Sequence, residues 1–180
     1  MFVAAGLMLL ATVVDGRPPV PDVTPDAPED CLHWEPHALQ PSSRLYHAMA
    51  YDSARRVTVL FGGYCNGDTW ELDGTTWTQR AVSGPTGRAG HAMAYDAARG
   101  VTVLFGGCGN GDTWEWDGTT WTQRSTTGPS PRWLHAMAYD STRGVTVLFG
   151  GLAGSSLKGD TWEWDGTTWT QRNMALRQTR

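Results

Sequence analysis

Three histidines stand in register: His47, His91 and His135 are 44 residues apart. Imidazole is both a metal ligand and a base near neutral pH, so three equivalent rings raise two chemistries, a metal near an axis and a catalytic base. Metal-binding histidines come with further ligands at short range and a polar surround that orients them, and neither accompanies these three. A residue kept in every copy of a repeat is explained most simply as one that each copy needs. The three histidines are therefore expected to be structural, hydrogen-bonding buried backbone groups.

Other reactive patterns are missing. The sequence has no phosphate-cradling glycine loop, no HExxH, no paired CxxC and no nucleophile elbow, and its carboxylates mostly recur with the repeat. No catalytic residue, metal or cofactor is assigned. Of the 3 cysteines, Cys65 and Cys108 occupy corresponding loops, which is compatible with a disulfide in an oxidising compartment and equally with free thiols. Cys31 would be left over and could join two chains. The 10 tryptophans invite a sugar-stacking role. However, Trp70, Trp77, Trp114, Trp116, Trp121, Trp162, Trp164 and Trp169 fall at repeated positions, where each ring serves packing by burying roughly 150–250 Å². Trp133 does not repeat.

The elements that position these residues follow from the same register. Gly62-Gly63, Gly106-Gly107 and Gly150-Gly151 keep the 44-residue step, while Trp70, Trp114 and Trp162 are spaced by 44 and then 48 because the third copy carries four extra residues. Such a period marks a solenoid, propeller or array. HAMAYD and VTVLFGG are short β-branched and aromatic runs, and DTWEWD and TTWTQR flank an Asp-Gly hairpin signal. Strands are expected at 47–51, 57–61, 69–72 and 76–80 in the first copy. No segment of the repeats has helical spacing, so the expected fold is all-β: three four-stranded propeller blades. The turns DSARR, DAARG and DSTRG end in Arg56, Gly100 and Gly144, which places Arg56 at a position suited to glycine.

The diglycine, the aromatic pairs Trp70/Trp77, Trp114/Trp121 and Trp162/Trp169, and an Arg-x-x-His opening each unit together resemble the kelch repeat, three times over residues 41–172. The resemblance implies a bacterial-type kelch propeller serving as a binding scaffold. Arg44-Leu45-Tyr46-His47 is also similar to a segment of galactose oxidases, whose blades are of this type and in which adjacent tyrosine and histidine bind copper. That likeness would make Tyr46 and His47 ligands. The cross-linked tyrosine and cysteine and the further histidine of that family have no counterpart here, so a copper radical oxidase is the lesser reading and a non-enzyme the preferred one.

Along the chain, Phe2 to Val14 is an apolar run of 13 residues, too short for a membrane-spanning helix and of signal-peptide length. It implies an extracellular or cell-surface protein; a mis-set start or the remnant of a longer upstream sequence fits as well. Residues 1–16 are thus read as leader and 17–30 as a Pro-rich acidic linker. Residues 31–40 read as an orphan outer strand around Trp34, followed by blades at 41–84, 85–128 and 129–173 and a tail at 174–180. A net charge of −4 with a single lysine, Lys158, disfavours nucleic acid.

Positions that differ between copies are free to take on function. In the first copy these are Leu45, Tyr46, Tyr64, Cys65 and Asn66, and in the second Cys108 and Asn110. The third contributes Trp133, Leu134, Leu152 and Lys158. Up-and-down strand order puts all of them on one face, where loops are expected to contact protein or glycan. Three blades fall short of the four to eight that close a ring. Either the missing blades belong to a longer parent chain, of which this would be a sugar-active enzyme's fragment or a truncated propeller without independent activity, or two copies form a homodimeric six-bladed ring.

Overall fold

The structure is a computed structural model in which residues 40–64, 66–80 and 83–173 are described. The described residues all belong to one unit, Pro36–Arg180. The expected leader, linker and tail lie outside the described residues, as does the orphan strand apart from Gln40.

Each repeat is one antiparallel sheet. The first contains β1 (Ala48–Asp52), β2 (Val57–Phe61), β3 (Thr69–Leu72) and β4 (Trp77–Arg80) in that spatial order. The second contains β5 (Ala92–Asp96), β6 (Val101–Phe105), β7 (Thr113–Trp116) and β8 (Trp121–Ser125). The third is built from β9 (Ala136–Asp140), β10 (Val145–Phe149), β13 (Thr161–Trp164) and β14 (Trp169–Arg172). Between β10 and β13 lies a small hairpin of β11 (Leu152–Ala153) and β12 (Ser156–Leu157). The four extra residues of the third copy, expected as loop, thus form strands of their own.

Two boundaries differ from the sequence expectation, each for a local reason. The first strand starts after the histidine, because Tyr46, Gly90 and Leu134 hold φ values of 59°, 70° and 55° and break the extended run. The fourth starts at Trp77, because Asp73 Oδ1 accepts the N–H groups of Thr75 and Thr76 and closes a turn there. Similar carboxylates close the Asp117 and Asp165 turns.

Neighbouring sheets pack face to face. Alternation along the strands gives each blade a back face toward the next blade and a front face toward the previous one. Ala50, Val59 and Phe61 of the first back face form one core with Met93, Leu104, Trp116 and Trp121 of the second front face. β1, β5 and β9 approach one another across the blades, so they are the inner strands. β4, β8 and β14 are the outer ones, and beyond their tryptophans Thr78–Arg80, Thr122–Arg124 and Thr170–Arg172 are exposed.

Candidate functional site

The arginine of each Arg-x-x-His unit fastens the loop that the variable residues sit on. Arg88, 1% exposed at its side chain, donates to both carboxylate oxygens of Asp112 at 2.6 and 3.1 Å and to Gly106 O at 3.1 Å. Arg44 does the same with Asp68 and Gly62, and Arg132 with Asp160 and Gly150. Each aspartate also accepts the indole N–H of Trp70, Trp114 or Trp162 two residues on. The Arg132 guanidinium holds the Asp160 carboxyl down at about 2, with the Trp162 indole assisting. These are clamps within a blade, with their charges already matched.

The diglycines make room for this junction. A Cβ on Gly106 would lie 2.6 Å from Arg132 O and 3.0 Å from His135 Cε1 of the next blade, and one on Gly107 would meet His91 Cβ at 2.9 Å. Backbone bonds then cross the gap, with Gly63 N donating to Arg88 O at 2.9 Å and Gly107 N to Arg132 O at 2.8 Å.

The histidines belong to this packing, and their expected role needs correction. His47 is exposed, while His91 and His135 are buried with neither ring nitrogen in a hydrogen bond. The Phe61 and Phe105 carbonyls face the rings without reaching hydrogen-bond geometry. Instead the imidazoles meet the Phe61 and Phe105 rings edge to face, with centroids 5.6 Å apart. Burial, seconded by the nearby Arg88 and Arg132 charges, pushes His91 down to about 3 and His135 to about 4. Among the described residues no group of three or more His, Cys, Asp and Glu is arranged to hold a metal ion.

On top of this frame the variable residues share one face. A row of backbone bonds runs across it, Gly90 N donating to Tyr46 O at 2.9 Å and Leu134 N to Gly90 O at 2.7 Å. Leu45, Tyr64 and Asn66 come together with Ser43 and Arg44 around a hollow of about 440 Å³. Cys108, Trp133 and Leu152 line a second hollow of about 290 Å³ with Gly109, Pro131, Arg132 and Gly154. Trp133 is tied to the extra hairpin by paired backbone bonds with Leu152 at 3.0 and 2.8 Å, and it lies over Gly90, where a Cβ would meet it at 3.2 Å.

Not every candidate faces a hollow in the same way. Asn110 is turned to its own loop, Nδ2 donating to Gly107 O at 2.9 Å, and borders a separate hollow of about 490 Å³ toward Thr126 and Pro131. Lys158 is anchored through its backbone to Gly151 O. The Cys108 thiol is free and donates to Ala89 O at 3.3 Å; Cys65, its expected partner, lies outside the described residues. Sequence reasoning missed Ser43 and Pro131, although Ser43, Gly87 and Pro131 occupy equivalent, differing positions just before the clamp arginine. Leu157, 83% exposed, lies in β12 paired with Leu152.

Among the described residues five non-glycine residues have positive φ, and four of them lie on this face: Tyr46, Tyr64, Cys108 and Leu134. Such a conformation costs about 1–2 kcal/mol per residue, which the clamped frame absorbs. Tyr46, Tyr64 and Leu134 are also exposed.

The fold is similar to that of a solved structure, YjhT, with a TM-score of 0.59 and 18% identity over 74% of this chain and 47% of that one. The chain spans about half the length of that protein. No family model matches the sequence, and no curated protein matches it. The four-stranded sheets and this likeness establish the architecture, an incomplete β-propeller of three blades.

Proposed function

We propose that the chain is a kelch-type propeller scaffold, secreted or displayed at a cell surface, that holds a protein or a carbohydrate on its loop face and catalyses no reaction. One observation carries this reading: bulky residues are held exposed in left-handed backbone on that face, where Gly90 shows that glycine fills an equivalent position without strain. Strain kept on an exposed aromatic surface is better explained by binding than by folding. The matched clamps and neutral buried histidines support a passive frame beneath it.

A glycan array and a displayed-peptide selection with the full chain test the proposal. Tyr64→Ala and Trp133→Ala are expected to weaken a selected ligand at least about tenfold, the scale of losing one aromatic contact, with little change in unfolding midpoint for Tyr64→Ala. A chain that selects no ligand from either collection, or whose ligand is indifferent to both changes, overturns the assignment.

A further inference from the structure

The back face of the third blade is a socket of the kind filled twice elsewhere in the molecule. In the first socket Trp116 Nε1 donates to Glu71 Oε1 at 2.9 Å and Trp121 Nε1 to Thr69 Oγ1 at 2.9 Å. In the second, Trp164 donates to Glu115 at 3.0 Å and Trp169 to Thr113 at 2.8 Å. The third presents Glu163 and Thr161 beside Arg143, Val147, Arg172 and Asn173 around an open hollow of about 580 Å³. Phe61 and Phe105 are 1% and 0% exposed, whereas their equivalent Phe149 is 56% exposed. Gly150, unlike Gly62 and Gly106, meets neither a histidine nor an arginine carbonyl.

The matching half is on the same chain. The front face of the first blade presents Tyr51, 57% exposed, with half-buried Leu72 and Trp77 in the same cross-strand row. This row corresponds to Tyr95, Trp116 and Trp121, which fill the first socket. In the other row Leu60 and Trp70 are buried, while Met49 and Gln79 are exposed. His47 is exposed above it. The row of backbone bonds on the loop face runs from Tyr46 O through Gly90 to Leu134 N.

We propose that the third blade's back face docks on the first blade's front face of a second copy, and that the reciprocal contact closes a six-bladed ring. Trp77 then donates to the partner's Thr161, Tyr51 lies beside the partner's Asp140, and His47 packs on the partner's Phe149. Two equal head-to-tail contacts close by rotation without leaving an open edge. The three blades match 47% of the YjhT chain, so two sets make up about one such propeller. One mismatch is built in: Leu72 stands where Trp116 and Trp164 donate to glutamate, so Glu163 gains no indole bond. The inference stands whether or not the loop face binds a ligand.

Sedimentation equilibrium of the full chain tests it. A dimer is expected, with Phe149→Asp and Trp77→Asp each monomeric. Mixing those two variants should restore association, because one of the two contacts then joins unaltered faces; this also shows that both variants are folded. Leu72→Trp should tighten the dimer about tenfold per contact, the effect of one hydrogen bond to a charged acceptor. A wild-type monomer, an open-ended series of oligomers, or variants that fail to complement overturns the proposal and leaves the socket to further repeats of a longer chain.

Discussion

A buried imidazole with no hydrogen-bond partner is compatible with the fold only while it is neutral. His91 is held down at about 3 and His135 at about 4, against an ordinary 6.5, with burial as the main cause. Below pH 6.5 the unfolded chain therefore takes up protons that the native state refuses, so stability falls as pH drops from 6.5 toward these lower values. Each histidine contributes a slope of roughly 1.4 kcal/mol per pH unit within that window. The clamp carboxylates do not blur it, because Asp160 is depressed from 3.8 to about 2 and its contribution is lost only below pH 4. Denaturant midpoints between pH 7 and 4 should show His91→Gln with a slope shallower by one proton. An unchanged slope would mean that the native ring is already charged. The 44-residue register marked these histidines as something every blade needs; it carried no information on whether the need was a hydrogen bond or a ring edge against Phe61 and Phe105.

At the scale of elements, the turn between the first two strands of each blade shows how a short segment tolerates a poor residue. Asp52 Oδ1 accepts the N–H groups of Ala54 and Arg55 at 3.0 Å, and Oδ2 holds Arg55 Nε at 2.7 Å. The turn must then close through a left-handed residue, which is Gly100 or Gly144 in two blades and Arg56, at φ 60°, in the first. Arg56→Gly removes a strain of about 1–2 kcal/mol, and the extra freedom of glycine in the unfolded chain returns part of it, for a net gain of about 0.5–1 kcal/mol. A raised midpoint with unchanged cooperativity is the expected result; a lowered one would show that Arg56 makes a contact worth more than its strain. This residue was legible because two sister turns displayed glycine. The main strands were legible too, from β-branched runs and Asp-Gly turns. The β11–β12 hairpin was not: Leu152 to Leu157 is short and glycine-containing, and its pairing depends on Trp133, distant in sequence.

At the scale of the molecule, each blade is stabilised by what the next one inserts into it, as in other repeat proteins. The count of blades could be read from the chain, but the donors that cross each gap could not, because Trp116 and Glu71 are 45 residues apart and nothing local relates them. Equivalent glutamates now make that dependence measurable. Glu115 receives Arg99, Arg124 and, from the next blade, Trp164. Glu163 receives only its own blade's Arg143 and Arg172 among the described residues. The Arg143 side chain is 51% exposed against 29% for Arg99, so water already screens the third cluster. Glu115→Gln takes the buried carboxylate from Arg124 and one of two from Arg99, which keeps Asp96, and should cost about 2 kcal/mol, the scale of a lost hydrogen bond to a buried charge. Glu163→Gln in dilute protein should cost about 1 kcal/mol, near that of an exposed pair. Raising the concentration until copies associate would bury the third cluster and narrow the difference, which denaturation at two widely separated concentrations would detect. Equal costs at high dilution would mean that the third socket is already covered within one chain, and the ring would then have to be completed in another way.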